Sequence, residues 1–246
     1  MSARNSTCSS DTSVHKVPDG LSDEQVLFLA DILPTAYEVG VVNARIRPGD
    51  SVAIVGAGPI GLAAIMTAKL LSPATIIAID LADARLAKAL DFGADVVINN
   101  GSEDAVARVM ELTGGQGVDA AIEAVGVPET FELCAELIRP LGRVANVGVH
   151  GCEATLHLEK LWIRNVTITT GLVDTFATPR LLQLVESGRL DPTPFGTHRF
   201  SLDETMAAYD VFADAATTHA LKVVLSAQPV RLPAASGAAG AEAKTA

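Results

Sequence analysis

Aromatic residues are scarce: one Trp, two Tyr and seven Phe make up 4% of the 246 residues. A core without many large rings has to be filled by Ala, Val, Leu and Ile, a mixture that suits small helices packed on β-branched strands. Cysteine is scarcer still. Cys8, Cys134 and Cys152 stand far apart with no CxxC or other metal spacing. That excludes a disulfide framework and reads as reduced thiols in a cytoplasmic protein. Basic residues are outnumbered, 18 Lys and Arg against 29 Asp and Glu, and a net charge of −11 offers no overall attraction to nucleic acid or an anionic membrane. Uncharged apolar runs fall short of the roughly 18 residues of a membrane span. The opening "MSARNSTCSSDTSVHKVPDG" has no signal-peptide shape.

What is present is enough for a sizeable core, since 49% of the chain is hydrophobic and 19% charged. Residues 1–20 read as a flexible N-terminal segment, and 226–246, rich in Ala, Gly and Pro, as a disordered tail. Ser22 is an N-cap before "DEQVLFLAD", so a helix is expected from about residue 23. Pro34 is expected to interrupt it, with a second helical stretch from Thr35, so that 21–45 forms a helical connection. One carboxylate, Asp31, falls inside the otherwise apolar "VLFLADILPTAYEVG". An ionised acid is costly to bury without a partner, so Asp31 needs a role.

From Pro48 apolar strands alternate with helices. "SVAIVG", "TIIAID", "DVVINN", "VDAAIEAV", "GRVANVGV" and "VTITTGL" read as strands; "PIGLAAIMTAKLL", "ADARLAKALDFGA", "SEDAVARVMELTGG" and "PETFELCAELIRP" read as helices. Continuous apolar strands in this alternation predict an α/β fold, a Rossmann doubly wound parallel sheet across residues 46–171. Residues 172–225 add two helices ("TPRLLQLVESGRL" and "SLDETMAAYDVFAD") and a closing strand ("ALKVVL") that pack back on it. That segment is too short for an independent substrate domain.

The most informative motif is "VAIVGAGPIG", a GxGxxG of Gly56, Gly58 and Gly61 between a strand and a helix. The first glycine permits the tight turn, the second lets a pyrophosphate approach the backbone, and the third lets helix and strand pack closely. The N-terminus of the helix offers unpaired N–H groups to the phosphates. Asp80 ends the second strand, where an acid accepts hydrogen bonds from the adenosine ribose and repels a 2′-phosphate. The pattern therefore predicts NAD rather than NADP. An S-adenosylmethionine-dependent methyltransferase, which also uses a glycine loop and an acid after strand two, is the rival; the strict GxGxxG argues against it.

With these residues in place the chain resembles the zinc-dependent medium-chain alcohol dehydrogenases over about residues 12–225. "SDEQVLFLADILPTAYEVG", "PGDSVAIVGAGPIGL", "GGQGVDAAIEAVG", "GRVANVGV" and "LWIRNVTITTGLVDTFATPRLLQLVESGRL" carry the resemblance. It implies that Gly56, Gly58, Pro59, Ile60 and Gly61 hold the NAD pyrophosphate and Asp80 the adenine ribose, with Arg85 beside it. It further implies that Val147, Gly148 and Val149 line the nicotinamide, that Thr35 lies near that ring, and that Lys222 reaches the pyrophosphate. The last strand of the nucleotide domain, here within 161–171, pairs in the family with its copy in a second subunit, so a homo-oligomer built near Trp162 and Ile168 is expected.

Asp31 falls where the family places a third ligand of the catalytic zinc, Cys in some branches and Asp in others. The family's other ligands, a Cys and a His–Glu pair after Gly, come from an N-terminal domain, and this chain has no Gly-His-Glu and no four-cysteine lobe. One carboxylate does not make a catalytic zinc site, which takes three protein ligands. His15, His150, His157, His198 and His219 have no paired metal spacing, and His150 is expected on a surface loop. The expected function is an NAD-binding alcohol dehydrogenase-like oxidoreductase, truncated at its N-terminus, with an incomplete zinc site and doubtful activity of its own. The alternative is a non-catalytic nucleotide-binding regulatory or partner module.

Overall fold

The computed structural model describes residues 14–227. Cys8, most of the expected N-terminal segment and all but the first two residues of the expected tail lie outside the described residues. The chain forms two compact units, one ending at Phe195 and one beginning at Gly196.

The first unit opens with helix α1 (Asp23–Leu27), started by a capping box. Ser22 N–H donates to Gln25 Oε1 at 2.9 Å, and Gln25 N–H donates to Ser22 Oγ at 3.4 Å. A 3-10 turn (Phe28–Ala30) follows, and the helical path breaks at Asp31, whose φ and ψ are −150° and −70°. Helix α2 (Ile32–Pro34) then runs into a wider π-helical stretch, Thr35–Val42. The expected interruption at Pro34 thus falls three residues earlier. Pro34 sits in the first turn of the resumed helix, where a missing N–H leaves no bond unmade.

Six strands follow in one parallel sheet: β1 (Ser51–Val55), β2 (Thr75–Asp80), β3 (Val96–Asn99), β4 (Val118–Glu123), β5 (Ile138–Asn146) and β6 (Thr167–Thr170). Their spatial order is β3-β2-β1-β4-β5-β6, the doubly wound order expected of a Rossmann sheet. The crossovers are α3 (Pro59–Ala68), α4 (Asp83–Phe92), α5 (Ala105–Leu112) and α6 (Pro128–Leu137). Period-2 alternation divides the strand side chains between two faces. Ala53, Val55, Ile77, Ile79, Ala121 and Val144 bury against Ala105 and Val109 of α5 and Cys134 and Leu137 of α6. Ile54 is buried on the opposite face, against the start of α3. Each buried Val, Leu or Ile among them contributes about 1.5–3 kcal/mol of burial.

Three of the few rings meet. Phe195, fully buried, meets Phe28 at 5.8 Å and Phe92 at 4.8 Å between centroids. Helix α7 (Leu158–Leu161) precedes β6, and α8 (Thr178–Glu186) follows it. Glu38, buried in the π-helical stretch, accepts the N–H groups of Asp174, Thr175 and Ala177 just before α8.

The second unit holds β7 (Gly196–Ser201), α9 (Thr205–Ala213), α10 (Ala215–Thr218) and β8 (Lys222–Ser226), with β7 parallel to β8. The helix and closing strand match the sequence reading, whereas β7 does not appear in it. "GTHRFS" alternates too weakly in hydrophobicity to declare a strand; its pairing with β8 makes it one.

Candidate functional site

Parallel sheets bind ligands at the carboxyl ends of their strands, at the point where the strand order reverses. Here that point lies between β1 and β4, and the glycine loop leaves β1 at it. Gly56 has φ +98°, and a Cβ there would stand 2.5 Å from Val125 Cγ2. At Gly61 a Cβ would overlap the carbonyl oxygen of Gly56. Both glycines are therefore demanded by the chain's own packing. Gly58 differs. Its φ of −74° suits any residue, and no atom lies within 4 Å of where its Cβ would be. Nothing inside the protein needs a glycine there, so the open face is a cradle of the kind a phosphate group occupies. Gly58 is also the N-cap of α3, with Pro59 at the first helical position. The first-turn N–H groups of Ile60 and Gly61 have no helical carbonyl to meet. The donor set and the open face fit a pyrophosphate.

Asp80 closes β2 beside this loop with its side chain almost fully buried. Oδ2 accepts Ala57 N–H at 2.8 Å, which ties the acid to the loop, and Oδ1 accepts the N–H groups of Leu81 (2.8 Å) and Ala82 (3.0 Å). Arg85, largely exposed, has its guanidinium 3.9 Å from Oδ2. Oδ2 thus keeps acceptor capacity for a ribose hydroxyl, and the fixed carboxylate disfavours a second anion.

Val147, Gly148 and Val149 form the turn just after β5, not its last residues. Val147 and Gly148 are half-buried, while Val149 is 90% exposed. The neighbouring acid Glu123, which ends β4 and is fully buried, organises this turn and was not foreseen. Its Oε1 accepts the N–H groups of Val125 and Gly126 and the hydroxyl of Thr130, each within 2.8 Å; its Oε2 accepts Gly148 N–H at 3.2 Å. Val125 in turn stands against Gly56. One carboxylate therefore joins the β4 turn, the β5 turn and the glycine loop. A signal existed: "VDAAIE" ends on an acid just as "TIIAID" does. Burial also pushes the neighbouring Cys134 thiol well above its ordinary range, with the Glu123 charge adding to it, so Cys134 is a packing residue.

His150 departs from the expectation of a surface loop. Its side chain is 18% exposed and Nε2 lies 2.9 Å from Asn146 Oδ1. Thr35 opens the π-helical stretch whose Gly40 lies against Ile122 and Val147. Asp31 is exposed at the break, and its Oδ1 accepts Thr35 Oγ1–H at 3.0 Å. Among the described residues no three His, Cys, Asp or Glu side chains converge as a metal site. The donors they supply around Asp31 do not fit a zinc held by three protein ligands. What Asp31 does in this structure is fasten Thr35. Lys222 opens β8 in the second unit, where its carbonyl accepts the Thr197 hydroxyl at 3.2 Å.

A sheet of this order with this glycine loop defines a Rossmann-like doubly wound α/β fold. A family model described as zinc-binding dehydrogenase matches residues 59–187, just over half of the chain, and the chain belongs to that family. It is 44% identical to an alcohol dehydrogenase of Cupriavidus necator over 209 residues, 80% of this chain and 55% of that protein. It is 32% identical to an erythritol/L-threitol dehydrogenase of Mycolicibacterium smegmatis, over 81% of this chain and 55% of that one. Among solved structures, zinc-dependent alcohol dehydrogenase 2 from Streptococcus pneumonia superposes with a TM-score of 0.82 at 47% identity, covering 88% of this chain and 62% of that one. The chain spans about half the length of the curated relatives it matches. Family membership removes the methyltransferase reading.

Proposed function

We propose that this chain binds NAD and forms the cofactor-holding part of an alcohol dehydrogenase-like oxidoreductase. The observation that carries the reading is Gly58, a glycine that the protein's own packing does not require, at the one place where a pyrophosphate needs a bare backbone. In this reading Gly56, Gly58, Pro59, Ile60 and Gly61 receive the pyrophosphate, Asp80 receives the adenine ribose with Arg85 alongside, and Thr35, Val147, Gly148 and Val149 border the nicotinamide. NAD, when bound, supplies the nicotinamide carbon that accepts or gives hydride. The chain's own residues bind and orient it and keep the ring against an apolar turn.

Titration calorimetry with both cofactors tests the reading. NAD is expected to bind at least about tenfold more tightly than NADP, because Asp80 accepts hydroxyls and repels phosphate. Equal or tighter NADP binding overturns the preference, and no binding of either overturns the function. Asp80→Ala should narrow the gap.

The same reading includes a homo-oligomer. Strand β6 is the last of the sheet, Thr167 on it is exposed and Trp162 just before it is 73% exposed. An unprotected edge is a template for another strand. Light scattering should give at least a dimer at micromolar concentration, and Thr167→Pro should shift it toward monomer; a wild-type monomer rejects this. A cytoplasmic location is part of the proposal. Cys134 and Cys152 are free thiols, and among the described residues no single helix is long and apolar enough to cross a membrane.

A further inference from the structure

The Val147–Val149 turn is held by more than its own strand. Val147 N–H donates to the Glu123 carbonyl at 2.8 Å, and Gly148 N–H is shared between that carbonyl and Glu123 Oε2. A Cβ on Gly148 would overlap Gly126 N and Glu123 Oε2, so the two turns are in direct contact. Asn146 closes the turn from below: its Nδ2 donates to Gly148 O at 2.8 Å. That bond fixes the orientation of the amide, because Gly148 O accepts only. Asn146 Oδ1 is then an acceptor, and the group facing it is His150 Nε2 at 2.9 Å. Nε2 must therefore carry the proton. The same nitrogen lies 3.7 Å from Glu123 Oε2. The imidazole packs edge-on against Phe131, with centroids 6.1 Å apart, and its Nδ1 is buried without a hydrogen-bond partner. A buried polar atom without a partner is a cost the fold would normally avoid. Phe or Leu would avoid the orphaned Nδ1 but would leave Asn146 Oδ1 without its donor, so the task of the histidine lies in its Nε2–H.

We propose that His150 is a positioning residue for the nicotinamide half of the cofactor. Through Asn146 it holds the Gly148 carbonyl in place, next to the Gly148 N–H that Glu123 holds, so the turn that borders the ring in this reading keeps one conformation. This rests on the reading that the chain binds NAD. It adds that one half of the ligand depends on a side chain that does not touch it. A turn left free to rotate would have to be ordered on binding, and that ordering lowers affinity.

The experiment compares NAD with ADP-ribose, which keeps the adenine, ribose and pyrophosphate groups and lacks nicotinamide. Calorimetry is run on the wild-type chain, on His150→Phe, which keeps the edge contact with Phe131 and loses the donor, and on His150→Gln, whose terminal amide restores an N–H near Nε2. His150→Phe should weaken NAD about five- to tenfold and ADP-ribose less than about twofold, the size expected from losing one buried hydrogen bond. His150→Gln should hold the ratio of the two affinities within about twofold of wild type. If the Phe variant weakens both ligands equally or neither, or if Gln leaves the ratio as low as Phe does, the inference falls and the cofactor reading stands. Wild type binding ADP-ribose but not NAD overturns the inference and the nicotinamide part of that reading; wild type binding neither overturns both.

Discussion

At the end of the sheet where its strands begin, carboxylates meet arginines. Asp50 faces Arg143 at 2.6 Å with both side chains nearly buried, and Asp119 accepts Arg139 Nε at 2.7 Å together with the N–H and hydroxyl of Ser51. At the end where the strands finish, Asp80 and Glu123 are filled instead by backbone N–H groups and a hydroxyl; the nearest cation to Asp80 is an exposed arginine at 3.9 Å. In the first two pairs the arrangement is closed, since Asp50 and Asp119 each meet an arginine. The second end leaves Asp80 Oδ2 with one short hydrogen bond, beside the open face at Gly58 where α3 begins. One end therefore serves stability and the other is the end proposed for the ligand, although both carry acids at strand ends.

Substitutions at the two ends should separate stability from binding. The largest effect is expected inside the glycine loop. Gly61→Ala drives a Cβ into the Gly56 carbonyl, and urea denaturation should show a loss of at least about 3 kcal/mol, with NAD binding lost as well. A variant as stable as wild type would mean that the loop is more yielding than its packing implies. Gly58→Ala, three residues earlier, should behave oppositely. The backbone conformation suits alanine, so stability should stay level or rise by up to about 1 kcal/mol, while NAD affinity should fall about tenfold or more because the methyl group fills the cradle. Unchanged NAD affinity would remove the main support for the proposed site.

The smallest effect on binding is expected at the closed end. Asp119→Asn should cost roughly 1–2 kcal/mol through weakened charged hydrogen bonds and leave NAD affinity within about twofold. Partial burial raises the Asp119 pKa, but the Ser51 and Arg139 bonds outweigh it and hold the carboxyl below its ordinary value. An acid with a lowered folded pKa contributes stability that is full above the unfolded value and is lost as pH falls through the folded one. Stability curves of wild type and Asp119→Asn should therefore differ at neutral pH and converge as the solution is acidified below the usual aspartate range. Curves that stay parallel down to low pH would show that the charge of Asp119 is not what ties the strands.

Much of this molecule is legible in the sequence. The alternation of apolar strands with helices, the GxGxxG and the acid ending strand two are local patterns, because period-2 burial, a positive φ and a helix start each depend on a few adjacent residues. The tertiary structure decided the rest. Nothing near Asp31 announces that the helix breaks there, and the acid consequently faces outward and holds Thr35. Seven phenylalanines give no hint that Phe28, Phe92 and Phe195 meet. Glu123 and Gly148 lie 25 residues apart, and they meet because β4 and β5 are paired in parallel with Glu123 level with Asn146. That register also brings His150 to Asn146 and Glu123. Local propensity specifies which segments become the strands of the six-stranded sheet; which strand ends converge, and so which acid organises the site, follows only from how non-adjacent strands pair.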